Sequence, residues 1–180
     1  YVLASSSEVY QSPTKIPTNE TERAIIPDVL NPRYSYAGSK LISELLALHC
    51  LRNSKIRTLI FRPHNVFGPN MGFEHVIPEL MKKLYVGTDS WSKRNCKIKL
   101  QGDGNDTRAF CYIEDAVDQI MTMFNSGKND DIYHIGMDRE RSIKDLLNDM
   151  ANLLGINVEI FSGKKPKGGT SRRCPDINKI

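Results

Sequence analysis

Residues 33–50 read RYSYAGSKLISELLALHC. Tyr36 and Lys40 stand four apart with Ala37, Gly38 and Ser39 between them, and a leucine-rich run follows. The apolar spacing predicts a helix over 34–53 in which Leu41, Leu45 and Leu48 form the anchoring stripe. Side chains four apart lie one turn above the other on the same face, so the phenol and the ammonium can meet. A free phenol titrates near pH 10, about 4 kcal/mol from being a base at neutral pH. A neighbouring ammonium supplies much of that difference by stabilising the phenolate. The small residues between them leave room for a bulky ligand against the helix head. The plain alternative is a half-buried packing tyrosine with a chance lysine, since the chain has 7 tyrosines and many lysines.

The flanks of this helix decide the fold. Residues 1–5 (YVLAS) and 56–62 (IRTLIFR) are short apolar, β-prone runs, and an irregular Pro-containing loop over 11–33 separates the first from the helix. Strand, helix and strand in that order make a βαβ unit, hence a parallel sheet in an α/β fold. The opening run YVLASSS needs strand neighbours on both sides, and it lacks an initiator methionine, so a longer parent protein is expected. Strand ends in open α/β sheets face the ligand crevice. The serine run Ser5, Ser6, Ser7 and the adjoining Glu8 stand at such an end.

Beyond Arg62 the pattern changes. RPHNVFGPNMGF carries two prolines and two glycines and is read as irregular. A helix over 76–86, strands at 97–101 and 110–113, and a helix over EDAVDQIMTMF follow, the last with Ala116, Ile120 and Met123 or Phe124 on one face. A strand at 131–135 precedes a helix over 143–154, with Ser142 and Asp145 as a capping pair and Gly155 as the stop; a last strand spans 157–161. The expected division is residues 1–63 as part of a doubly wound domain and 64–180 as mainly a smaller mixed lobe, with segments of it able to return to the sheet. A ligand crevice is expected between the two.

Composition bounds the function. The 180 residues are 39% hydrophobic and 26% charged, with a formal charge of +4. No apolar run has membrane-spanning length, and the start lacks the basic and long apolar regions of a signal peptide. Cys50, Cys96, Cys111 and Cys174 are far apart with no C-x-x-C pair, which argues against a zinc knuckle or a disulfide framework. Reduced thiols in a cytoplasmic protein fit this pattern, and the sequons at Asn19 and Asn105 then carry no sugar. Lys164, Lys165, Lys167, Arg172, Arg173 and Lys179 crowd the last stretch and attract anions. No interleaved aromatics or helix-turn-helix pattern accompany them, so no nucleic-acid partner is expected. His49, His64, His75 and His134 lack paired metal-ligand spacing, and GDGND at 102–106 lacks the calcium-loop spacing and is read as a turn; no metal is expected. His64, beside Pro63, is placed to line the crevice. His49 is read as a packing residue and Cys111 as core filling.

SSSEVY, YAGSK, RPHNVFGP, GDGNDTRAFCYIEDAVD and RRCPDINK occur in this order across essentially the whole chain. Together they resemble the extended short-chain dehydrogenase/reductase family of nucleotide-sugar epimerases, dehydratases and decarboxylases. The resemblance implies a partial Rossmann-type doubly wound parallel sheet with a smaller mixed α/β substrate-binding lobe. It implies NAD as cofactor and a nucleotide sugar as substrate, oxidised transiently at C4. Tyr36 matches the residue that takes the hydroxyl proton, and Lys40 the one that tunes it and holds the nicotinamide ribose. Ser6 matches the hydroxyl that bonds the reacting oxygen, and Pro63 the turn beside the nicotinamide. On the substrate side, Ser7 flanks the reacting group, Asn65 matches a diphosphate contact and Arg108 the arginine that grips the nucleotide phosphates; Arg173 is a second candidate for that task. A guanidinium fork suits phosphate oxygens in geometry as well as charge. Family members generally dimerise through a four-helix bundle that includes this helix, which implies a homodimer through the outward face of 34–53.

Two departures from the family pattern matter. The glycine-rich G-x-x-G-x-x-G turn that cradles the NAD pyrophosphate does not occur in these residues, so that half is expected upstream and the chain alone is not expected to hold NAD properly. In the 4,6-dehydratases an Asp-Glu pair occupies the places of Ser7 and Glu8, and a serine is a poor proton donor. Glu8 is therefore either a catalytic carboxylate or a surface carboxylate at a strand end. The resulting order is 4-epimerase first, decarboxylase of the UDP-glucuronate type second and 4,6-dehydratase third. The rival from another class is a non-catalytic member that binds a nucleotide or a partner.

Overall fold

The computed structural model describes residues 1–165 and 170–180, so Lys167 of the basic cluster lies outside the described residues. In chain order the elements are β1 (Val2–Ala4), α1 (Ser35–Cys50), β2 (Leu59–Pro63), β3 (Val66–Phe67), α2 (Val76–Gly87), β4 (Asn95–Lys99), β5 (Thr107–Ala109), β6 (Cys111–Tyr112), α3 (Ile113–Ser126), β7 (Asp131–Ile135), β8 (Glu140–Ser142), α4 (Ile143–Leu153), β9 (Asn157–Phe161) and β10 (Arg172–Arg173). They form two compact units. Unit 1 comprises Tyr1–Val66, Ala109–Arg139 and Arg173–Ile180; unit 2 comprises Phe67–Arg108 and Glu140–Arg172.

Unit 1 is built on a parallel sheet in the order β1-β2-β7. Val2 pairs with Leu59, Leu59 with Asp131 and Pro63 with Ile135. Successive side chains of a strand point to opposite faces, and β2 uses this alternation to carry two different layers. Leu59 and Phe61 pack with Met123, Ile120 and Tyr133 under α3, while Arg62 points to the other face and meets Glu44 of α1. A helix on each face is the doubly wound arrangement. Cys111 and Ala116 close the core with Ile135.

The structure corrects the reading of α1. Its buried residues are Ala37, Glu44 and Ala47, whereas Leu45 is 50% exposed. The small alanines let the helix backbone approach the protein, so Ala37 is a packing residue. His49 is exposed rather than packed.

Unit 2 has its own core. Leu80 and Leu84 of α2, Cys96 and Ile98 of β4, and Leu147, Met150 and Ala151 of α4 cluster with Leu100 and Ile156. β4 and β9 run parallel with Asn95 opposite Asn157. The Ser142 hydroxyl accepts the Asp145 N–H at 3.0 Å, capping α4, and Gly155 ends it at φ +64°, a conformation that favours glycine. β5, β8 and β10 form a small sheet in the order β10-β5-β8. Strands of two or three residues are too short to show a period of two, so 107–109, 140–142 and 172–173 are not legible as strands in the sequence.

Candidate active site

At the C-terminal end of β1 four consecutive polar side chains diverge. Ser5 is buried and its hydroxyl donates to the Glu44 carboxylate. The Ser6 hydroxyl accepts the Glu8 N–H at 3.1 Å and caps the 3₁₀ turn Ser7–Tyr10. Ser7 faces a small cleft in unit 1 that His64 and Arg173 also line. Glu8 forms an ion pair with Arg173, so it is not simply a solvated carboxylate. No sequence pattern links residues 165 apart.

Tyr36 sits in the first turn of α1, 53% exposed, with its ring open to a ligand. The Lys40 ammonium lies 5.7 Å from the centre of that ring and donates to the Ala4 carbonyl at 2.9 Å. One lysine thus ties the helix head to the end of β1, and the Y-x-x-x-K spacing has a structural consequence as well as a chemical one. Pro63 ends β2. Asn65 adopts φ +40°, which asparagine tolerates better than most residues; its amide donates to the Ala109 carbonyl at 3.3 Å. Arg108 belongs to unit 2, where its guanidinium donates to the carbonyls of Thr107 at 2.7 Å and Thr170 at 2.9 Å. Ser6, Glu8, Tyr36, Lys40, Pro63, Asn65 and Arg173 all belong to unit 1.

Behind the strand ends lies a buried polar chain that sequence reading missed. Glu44 pairs with Arg62 at 2.5 Å, both almost fully buried. Arg62 also donates to the Tyr10 hydroxyl, which lies 2.7 Å from His134 Nε2. His134 Nδ1 faces the Asp176 carbonyl at 3.2 Å. A carbonyl can only accept, so Nδ1 carries the proton, Nε2 is the acceptor and Tyr10 donates to it. Burial pushes the Tyr10 phenol up to about 12 despite the Arg62 charge. Burial likewise holds His134 below the usual histidine range, against the pull of Glu20. The signals were present as a lone arginine in an apolar strand and a lone glutamate in a leucine-rich helix.

Residues 1–136 match the model of the NAD dependent epimerase/dehydratase family. The chain belongs to this family. NAD is the family's cofactor, and the residues present fit it: the Tyr36 phenol is half exposed, Lys40 is fixed one turn away by the Ala4 carbonyl at the end of β1, and Pro63 ends the neighbouring parallel strand β2. Relatives span the family's chemistries. A UDP-N-acetyl-alpha-D-glucosaminuronate decarboxylase of Bacillus cytotoxicus is 29% identical over 99% of this chain and 56% of its own length. The solved dTDP-glucose 4,6-dehydratase DesIV of Streptomyces venezuelae is 26% identical with a TM-score of 0.77, covering 99% of this chain and 52% of the other. A UDP-N-acetylglucosamine 4-epimerase from Methanobrevibacter ruminantium shares the fold at 20% identity with a TM-score of 0.83, covering 98% and 54%. The chain thus spans about half the length of these family members. Among the described residues no helix is long and apolar enough to cross a membrane, and no cluster of side chains could hold a metal ion.

Proposed function

We propose that the protein acts on a nucleotide sugar by transient oxidation at C4, with 4-epimerisation as the net reaction. The observation that carries this choice is the Glu8–Arg173 ion pair beside Ser7. Elimination of water needs an acid and a base at this strand end. Here a serine fills one place, and the carboxylate in the other is engaged by a guanidinium. Epimerisation needs neither.

In this reading the Tyr36 phenolate takes the proton of the C4 hydroxyl, and the Ser6 hydroxyl holds the same oxygen. Lys40, fixed by the Ala4 carbonyl, stabilises the phenolate. Tyr36 and Lys40 would hold the ribose of NAD and Pro63 would border its nicotinamide, and the bound cofactor would supply the reversible hydride acceptor for C4. Asn65 contacts the diphosphate. The preformed carbonyl contacts of Arg108 fix the orientation of its fork before a phosphate arrives. Two copies associate through α1, and the protein works in the cytoplasm.

A second reading is favoured by Arg173. A guanidinium that already holds one carboxylate can hold a sugar carboxylate instead, and a relative matching 99% of the chain is a decarboxylase. The test is the full-length protein with NAD and a panel of UDP-, GDP- and dTDP-sugars, followed by mass spectrometry and proton NMR. An isobaric product with altered C4 coupling is the expected result. Loss of carbon dioxide replaces epimerisation by decarboxylation, and loss of water defeats the assignment of Ser7 and Glu8. Absence of any product, with ligand still bound, points to a binding protein.

A further inference from the structure

His64 is unlike every other histidine in the chain. It is 3% exposed, yet neither Nδ1 nor Nε2 has a hydrogen-bond partner among the described residues. An imidazole always presents polar nitrogens, and leaving a buried one unpaired is costly. The ring is held in place all the same. Its backbone N–H donates to the Ile135 carbonyl at 2.8 Å, its ring meets that of His134 at 4.6 Å, and its Cβ lies against Gly136, where an added Cβ would come within 3.0 Å. His64 follows Pro63, precedes Asn65, and lines the cleft with Ser7 and Arg173.

That cleft has a volume of about 10 Å³, room for one oxygen-sized group rather than a ring or a phosphate. Its ionic groups are balanced, because Arg173 is paired with Glu8. Burial, with the nearby charges of Arg173 and Arg62, disfavours the protonated imidazole. A neutral imidazole offers one donor and one acceptor. The two nitrogens point away from each other, so a single group meets one of them; a hydroxyl, being both donor and acceptor, pairs with that nitrogen in either tautomer, whereas a carboxylate or phosphate oxygen pairs only where the nitrogen carries the proton.

We propose that His64, Ser7 and Arg173 form a subsite for a single hydroxyl group of the bound sugar, with His64 as a specificity-determining residue. The inference rests on the nucleotide-sugar reading above and adds to it a neutral, hydroxylated sugar.

Calorimetry on the full-length protein tests this with UDP-, GDP- and dTDP-glucose and the matching free nucleoside diphosphates. His64→Phe should weaken binding of the preferred nucleotide sugar about tenfold and leave the diphosphate unchanged, and His64→Gln, which restores a donor and an acceptor, should recover most of the loss. Equal weakening of both ligands, or no weakening of either, overturns the subsite. Nitrogen-15 spectra of the wild-type imidazoles give a test that needs no variant. The His64 ring resonances should shift with the nucleotide sugar and not with the diphosphate, and unmoved resonances, including the case in which no sugar binds, overturn the proposal. Sugar-dependent shifts without any C4 product would leave the subsite standing and remove the epimerase reading alone.

Discussion

At the scale of single residues, the phenol of Tyr36 is half exposed and the hydroxyl of Tyr10 is buried among Arg62 and His134. Only the first is placed to serve an incoming ligand; the second is spent on holding the protein together. Tyr36→Phe should therefore lower turnover by about 10²–10⁴-fold while nucleotide-sugar affinity stays within about twofold. Steady-state kinetics with calorimetry checks this, and surviving turnover would remove Tyr36 from the chemistry. The two buried histidines set a pH dependence. Burial holds His64 and His134 below their ordinary range, so the unfolded chain takes up protons near pH 6.5 that the folded chain refuses. Stability is thus full above about pH 7 and declines as pH falls below about 6.5. Thermal melts from pH 8 to 5 should show this decline, and His64→Phe should flatten it. An identical slope in the variant would remove His64 from the titration.

At the scale of elements, α1 shows what the sequence made legible and what it hid. Its existence and its Tyr36–Lys40 face were readable, because helical period and spacing are local. Its buried face was not. Leu45 looks like an anchor on pattern alone, but the side that meets the sheet carries Glu44, and burial of that carboxylate depends on Arg62 and Ser5, which are distant in sequence. The same limit hid the Glu8–Arg173 pair, whereas the Ser142 cap, which spans only the four residues 142–145, was legible. Glu44→Ala leaves a guanidinium buried without its partner and should cost about 3–5 kcal/mol, measured by urea unfolding; a loss below 1 kcal/mol would show that the ion pair does not fasten α1 to β2. Ile42, Leu45 and Leu46 remain exposed on the opposite face, in keeping with the proposed homodimer. Leu45→Glu should shift a dimer towards monomer in sedimentation velocity without loss of helix signal. A wild-type protein that sediments as a monomer at all concentrations would rule out this use of the face.

At the scale of the whole molecule, the division into two units does not follow the order of the chain. The sequence suggested a boundary near residue 63 with later segments able to return to the sheet, and the parallel pairing of β2 with β7 brings residues 131–135 into the same sheet as the first strand. Nothing local to 131–135 announces which sheet it joins. The last eight residues also serve unit 1: Thr18 N–H bonds the Cys174 carbonyl at 2.9 Å, Asp176 N–H bonds the Thr18 carbonyl at 2.7 Å, and Lys179 pairs with Asp131 at 2.6 Å. A chain ending at Arg172 should melt at least about 5 °C lower than the intact protein, since several bonds of about 1 kcal/mol each are lost with it; an unchanged melting temperature would show that these contacts are ornamental. The chain passes between the units at 66/67, 108/109, 139/140 and 172/173. On a ribosome, then, unit 1 is not complete until its segment Arg173–Ile180 has emerged, and the Glu8–Arg173 pair closes a loop of 165 residues. Contacts of such separation are slow to form, so the nascent chain carries β1 and β2 without their partner β7 until residues 131–135 have emerged, and its yield in cells should depend on how well chaperones shield that open edge.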